Sequence, residues 1–397
     1  MDAAVSQPMF SRRTQWKLAP NRFTQAQSDL RASGIPILDL STSNPTRVGL
    51  AYDEEGIQTA LAQSGEIDYD PQPKGLLVAR QAVVDYYRDE HEGFDVDTES
   101  LMLTTSTSEA YSYVFRLLCN PGDELLVPKP SYPLFEFLAD LQDVKLAPYP
   151  LVYDLGWQID FHSLYEAVTP RTRAVVVVHP NNPTGSYVKP GEITSLNRFC
   201  SDNRLALIAD EVFIDYGHDG AARSTLALNN HVLTFTLSGL SKVSALPQMK
   251  VAWVVVSGPN EPKREALARL EVIADTYLSM NSPLQLATPS LLEQRKKIQP
   301  LLLDRLRINL LELDHQLSHQ KTCGRLAVEG GWYVVLRMPA TQSDEDLAID
   351  LLRKVGVFVH PGHFYDFSAD GYLILSLITP TEDFREGIHR ILGVSNP

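Results

Sequence analysis

The chain has 397 residues, 44% of them hydrophobic and 21% charged, a usage that fits a folded globular protein and excludes a disordered one. Its 35 Lys and Arg against 49 Asp and Glu give a net charge of −14, which argues against a broad basic surface for nucleic acid or anionic lipid. Three widely spaced cysteines, Cys119, Cys200 and Cys323, form neither a disulfide framework nor a thiolate metal site. The first twenty residues, MDAAVSQPMFSRRTQWKLAP, have no apolar signal region, and no run of roughly 18 apolar residues follows. A cytoplasmic protein without a membrane span is expected, with two or three domains at roughly 100 to 200 residues each.

In chain order, the apolar runs ESLMLTT, DELLVPK, RAVVVVHP, RLALIADE, HVLTFTLSG and VAWVVVSG read as strands. Most are apolar at consecutive positions, the pattern of a mostly parallel sheet covered by helices on both faces. Between them SEAYSYVFRLLC, YPLFEFLADL and PGEITSLNRFCSDN carry helical spacing. From Ser282 the pattern becomes a long leucine-rich helical stretch in which Pro300 predicts a kink or a junction between two helices. RLAVEGGWYVVLRMP, EDLAIDLLRKVG, VFVHPG, GYLILSLIT and DFREGIHRILG then alternate strand and helix. The fold class is α/β: a large domain with a mostly parallel sheet, residues 46–290, and a smaller α+β domain, residues 291–397.

Four segments carry chemistry. SGLSK, residues 238–242, places Lys242 in a turn after a strand, where a lone lysine is most often a solvated charge. HPNNPTG, residues 179–185, is a loop dense in turn formers, or an ordinary connection. ADEVFIDY puts Asp210 at the carboxyl end of a strand, where open α/β sheets gather ligands and where a carboxylate also caps helices. TTSTSEAY joins a strand to a helix through five consecutive hydroxyl residues, which serve equally as an anion site or an N-cap cluster.

In this order these segments resemble the fold type I pyridoxal 5'-phosphate (PLP) enzymes, and among them the class I/II aminotransferases, across nearly the whole chain. The resemblance implies that Lys242 holds PLP as a Schiff base and moves the substrate proton, and that Asp210 keeps the pyridine nitrogen protonated. Asn182 would donate to the ring oxygen, Tyr132 in PKPSYPLF would stack on the ring, and Ser106, Thr107 and Ser108 would surround the phosphate with Ser241 and Lys250 beside them. Tyr69 would reach the phosphate of a second subunit, which implies a homodimer. The N-terminal 45 residues would fold back on the small domain. The substrates implied are an amino donor and a keto acceptor. A lyase, decarboxylase or racemase would use the same site, as would a PLP-binding protein that has lost activity. No GxGxxG follows an early strand, and no metal-ligand spacing such as HExxH occurs; His179 reads as a loop residue.

The chain departs from the pattern at four positions. Phe213 stands where relatives carry a tyrosine whose phenol donates to the ring oxygen, with Tyr216 as a candidate substitute. Lys250 replaces an arginine at the phosphate, keeping the charge and losing the fork. Gly239 replaces a hydroxyl residue. Ile374 in GYLILSLIT occupies the place of the arginine that grips the substrate carboxylate; Arg47 in LSTSNPTRVGL is the candidate replacement or an ordinary surface arginine, and a substrate without the usual α-carboxylate is the other way out.

Overall fold

The computed structural model describes residues 9–62, 69–91, 93–218, 224–278 and 280–395; the first eight residues of the N-terminal segment lie outside them. Its strands are β1 (Leu38–Asp39), β2 (Leu101–Thr104), β3 (Glu124–Lys129), β4 (Lys145–Tyr153), β5 (Trp157–Ile159), β6 (Thr172–Val178), β7 (Ala206–Asp210), β8 (Thr234–Gly239), β9 (Ala252–Ser257), β10 (Gly324–Arg325), β11 (Tyr333–Arg337), β12 (Val357–Phe358), β13 (His360–Pro361) and β14 (Tyr372–Ser376). The six strands expected in the large domain are β2, β3, β6, β7, β8 and β9.

The large sheet runs β2-β9-β8-β7-β6-β3-β4-β5. The pairings β8/β7, β7/β6, β6/β3 and β3/β4 are parallel, while β9 runs against both β2 and β8. Its burial follows from its sequence. In β6, Val175 and Val177 face the helix Pro190–Asn203 through Leu196 and Phe199, and Val176 between them faces Phe115 of the helix Thr107–Leu118. Because successive side chains point to opposite faces, both faces must be apolar, and each buried valine contributes about 1.5–3 kcal/mol. Since β2 and β8 both oppose β9, the carboxyl ends of β2, β3, β6, β7 and β8 share one edge, and the chain leaves it at Thr104, Lys129, Val178, Asp210 and Gly239.

The smaller sheet is antiparallel, β10-β11-β14-β13, and β1 pairs in parallel with β12. The helix Arg22–Ala32 packs on Asp344–Val355, with Phe23 stacked on Phe358 at 4.8 Å. Just before it the chain touches the other domain: Trp16 lies 5.5 Å from Phe137 and its Nε1 donates to Asp140 at 2.8 Å. Pro300 neither breaks nor joins helices. The junction falls at Gln294, and the helix Arg295–Ser318 runs through Pro300. Its inner stripe of Ile298, Leu302, Leu306 and Leu313 is fully buried, and that packing outweighs the one backbone hydrogen bond proline forgoes.

Candidate active site

At the shared strand edge, or within a few residues after it, stand Ser106, Thr107, Ser108, Asn182, Asp210 and Lys242. Asp210 ends β7, and its two carboxylate oxygens have different partners. Oδ1 accepts the Val212 amide at 3.1 Å, and Oδ2 accepts the Tyr111 hydroxyl at 3.0 Å. Burial raises this carboxyl to about 6, against the pull of those two donors and of the Lys242 charge, so it is ionised at neutral pH. The adjacent Glu211 is fully buried and raised further, to about 8, chiefly by burial, with the Thr225 hydroxyl and Leu226 amide as donors. At neutral pH the pair therefore divides into a mostly neutral Glu211, which braces the 225–226 turn, and a charged Asp210.

Lys242 lies in a four-residue helix, Leu240–Val243, directly after β8. Its Nζ sits 4.6 Å from the centre of the Trp332 ring and 5.3 Å from that of Phe213. Desolvation lowers the amine to about 8, only partly offset by Asp210. Among the described residues it forms no ion pair.

A short helix leaves its last carbonyls without partners, and here three outside side chains supply donors. Tyr216 donates to the Lys242 carbonyl at 2.6 Å, Gln299 to the Val243 carbonyl at 2.8 Å and Tyr52 to the Ala245 carbonyl at 2.9 Å. Tyr216 thus holds the lysine's backbone, and its hydroxyl is not free to stand in for the phenol absent at Phe213.

Asn182 is buried, and neither its Oδ1 nor its amide nitrogen has a hydrogen-bond partner among the described residues. Ser106 is the N-cap of the helix Thr107–Leu118, its Oγ accepting the Glu109 amide at 3.2 Å. Thr107 and Ser108 occupy the first turn, half-buried. Ser241 is half-buried next to Lys242, and Lys250 is exposed in a left-handed conformation just before β9. Gly239 has a steric reason: a Cβ there would lie 2.9 Å from both the Ala252 Cβ and the Val251 carbonyl oxygen. A serine in that place would push β9 off β8.

Tyr132 follows β3 and is 46% exposed, whereas Tyr69 is 75% exposed on the surface. Arg47 is the exposed last residue of a short turn, Pro45–Arg47, whose N-cap is Asn44 and whose Pro45 is buried. Ile374 is buried in β14 between Val335 of β11 and His360 of β13, so that edge of the site is apolar where an arginine was expected. Sequence reasoning missed Tyr111 and Trp332. Tyr111 was readable, since it follows Thr107 by one helical turn and so shares their face. Trp332 was not, because it reaches Lys242 through tertiary contact, held by the Gly331 amide donating to the Tyr216 carbonyl at 2.9 Å. A Cβ on neighbouring Gly330 would meet that same carbonyl at 2.7 Å, so only glycine lets the two segments approach.

A half-buried lysine whose amine is lowered by desolvation, an ionised carboxylate at a strand end and a buried amide at one sheet edge fit an electrophilic, nitrogen-containing ring. The chain belongs to the family described as aminotransferase class I and II, whose model matches residues 35–391. It is 29% identical over 358 residues to the glutamate-pyruvate aminotransferase AlaA of Haemophilus influenzae, covering 88% of each chain. It is 28% identical over 377 residues to an alanine aminotransferase of Mycobacterium tuberculosis, covering 92% of this chain and 87% of that one. In fold it resembles the alanine aminotransferase of Pyrococcus furiosus, with a TM-score of 0.85 at 22% identity and coverage of 94% and 95%. A mutant aspartate aminotransferase of Thermus thermophilus gives 0.82 at 24% identity, with coverage of 98% and 100%.

The protein is a PLP-dependent aminotransferase of fold type I. The residues present fit that cofactor: the lysine amine is unpaired, the Asn182 amide is unengaged and Asp210 keeps its charge. No helix among the described residues is long and apolar enough to cross a membrane, and no group of three or more metal-ligating side chains occurs among them.

Proposed function

We propose that this enzyme exchanges amino groups within the alanine, glutamate, pyruvate and 2-oxoglutarate set, with Lys242 as the group that binds the cofactor and carries the proton. The observation that carries the reading is the lowered, desolvated Lys242 amine across from the ionised Asp210. The cofactor supplies an electron sink for the bond broken at the substrate carbon. The protein's part is geometric and electrostatic. A lysine lowered to about 8 is partly neutral at physiological pH, so its nitrogen can attack a carbonyl and later accept and return a proton. Asp210, held by Tyr111 and the Val212 amide, keeps a negative charge for a protonated ring nitrogen. Asn182 supplies an amide donor to a ring oxygen, Tyr132 an aromatic face, and Ser106, Thr107, Ser108, Ser241 and Lys250 surround a phosphate at the helix N-terminus. The substrate set is taken from the activities named for the relatives.

Arg47, exposed and without an ion pair among the described residues, is our candidate for the charge that attracts the substrate carboxylate. The domains would divide as 1–45, 46–290 and 291–397. Tyr69, Leu77 and Val78 are all exposed, and the ion pair of Lys74 with Glu271 ties this patch to Val272, Tyr277 and Leu278, also exposed. That apolar surface supports a homodimer in which Tyr69 reaches the partner's phosphate site. A cytoplasmic location accords with the cysteines: burial raises Cys119 and Cys200 to about 12, so they are inert thiols.

The test is a half-reaction. Protein loaded with PLP and given L-alanine without a keto acid should lose its visible absorbance and release an equal amount of pyruvate. A stable band with every amino acid tried, or release of carbon dioxide in place of a keto acid, would refute the reading.

A further inference from the structure

The wall facing Lys242 from the smaller domain carries phenols and a histidine. Tyr333 opens β11 directly after Trp332 and meets the Phe213 ring edge-on at 6.3 Å, so it stands one ring away from the Lys242 amine. Tyr365 is 4% exposed, and its carbonyl accepts the Ser131 amide at 2.9 Å, which latches it against the segment carrying Tyr132. The phenols of Tyr333 and Tyr365 lie close to one another and to the Tyr132 ring, and this proximity adds to burial in opposing ionisation of Tyr333 and Tyr365.

Behind Tyr365, its hydroxyl lies 3.1 Å from Nδ1 of His360, the residue paired across β13 and β14 with Ile374. Asp39, at the end of β1, faces this histidine, and Ser43, in the loop that follows, hydrogen-bonds Tyr333. The nearby cation Lys129 is spent on Asp366 at 3.1 Å. Burial holds both Tyr333 and Tyr365 well above the usual phenol range, so they remain neutral donors at every working pH.

A substrate of an aminotransferase that acts on amino acids presents a carboxylate to this wall. We propose that Tyr333 and Tyr365 bind that carboxylate through their hydroxyls, with His360 orienting the Tyr365 hydroxyl, in the place where Ile374 offers no cation. The inference rests on the amino-acid reading given above. His360 acts as a positioning residue. When its Nδ1 carries the proton and donates to the Tyr365 oxygen, the phenol's own hydrogen is released toward the ligand; when Nδ1 is bare, it takes that hydrogen away. An arriving carboxylate selects the first tautomer. Neutral donors grip a carboxylate less firmly than a guanidinium fork, so the wall discriminates by direction more than by charge, and Arg47 adds only long-range attraction.

The test uses the PLP-loaded enzyme and two ligands that differ only in a carboxylate against a methyl group, 2-methylalanine and tert-butylamine, neither of which has an α-hydrogen, so both bind without turnover. Dissociation constants are read from the visible spectrum. Tyr365→Phe should weaken 2-methylalanine by ~10-fold and leave tert-butylamine within ~2-fold. Tyr333→Phe should do the same. His360→Leu should match Tyr365→Phe, and His360→Asn, which keeps a donor near the Nδ1 position, should restore most of the loss.

Equal weakening of both ligands, no weakening in either phenylalanine variant, or identical behaviour of the two His360 variants would overturn the proposal. Should one phenylalanine variant fail to fold, the other and the His360 pair decide. Failure of the wild type to convert L-alanine would refute the alanine reading alone, because binding of 2-methylalanine against tert-butylamine needs no turnover and still judges the wall.

Discussion

The two halves of the site are built by different means. The cofactor half is a series of strand ends: Thr104, Val178, Asp210 and Gly239 each lead within a few residues to a side chain aimed at one edge of one sheet. The substrate half is assembled from β11, β13, β14 and the loop after β1, whose members meet only through antiparallel pairing and domain contact. A local motif encodes the first half; the second exists only once the smaller domain has docked. Cofactor chemistry can therefore be carried by short sequence signals, while substrate recognition is free to drift, as Ile374 illustrates.

If that division holds, damage to the cofactor half should dominate. Asp210→Asn removes the charge that Tyr111 and the Val212 amide hold in place, and kcat should fall by ~100-fold, equivalent to a charge-assisted hydrogen bond of about 3 kcal/mol. Cofactor should still bind through Lys242. A loss under fivefold would place the electron-withdrawing role elsewhere.

Tyr111→Phe sharpens the comparison further. Its hydroxyl bond favours the ionised carboxylate, so its removal lets Asp210 rise above about 6. Activity depends on the ionised form, so it is lost as pH falls through this pKa, and the acid limb of the kcat profile should move to higher pH. The drop near neutrality should be ~10-fold. An unmoved acid limb would mean that Asp210 does not set it.

Arg47→Ala carries the smallest effect. As an exposed charge screened by solvent and salt, it should raise KM for L-alanine by ~2–5-fold, leave kcat alone and matter less at high ionic strength. A loss of two orders of magnitude would make it a direct clamp and blur the distinction between the halves.

Legibility in the sequence follows the same line. The runs ELLVPK and TRAVVVV declare parallel strands because strands covered on both faces admit no polar alternation, a pattern that the antiparallel edge strand LMLT shares. KLAPYPLVY, which forms β4, was silent: it has two prolines, lies near the sheet's edge and is mostly half-exposed, so it lacks that signature. The junction offered at Pro300 falls at Gln294 instead, because proline's local cost is visible in the sequence whereas the leucine stripe that outweighs it is placed only by the fold. In the site, Asp210 and Lys242 were legible as residues at strand ends. Tyr216 was legible as a phenol near Phe213, but its commitment to the Lys242 carbonyl depends on a tertiary approach. Gly239 read as a lost hydroxyl, whereas the crossing of β9 makes glycine a packing requirement. His360 and Tyr365 gave no signal at all, since their relation to Lys242 arises from domain docking.

The central claim is that Lys242, with its amine lowered to about 8 by burial under Trp332 and Phe213, is the one residue that captures the cofactor. The most direct test is to load the protein with PLP, reduce it with borohydride, digest it and locate the modified peptide by mass spectrometry, repeating the loading across a pH series. The account predicts a pyridoxyl adduct on Lys242 alone, absent from Lys242→Ala, with a rate of capture that rises with pH and levels off near 8. An adduct on another lysine, or a rate that keeps climbing toward the ordinary lysine value of 10.5, would contradict it.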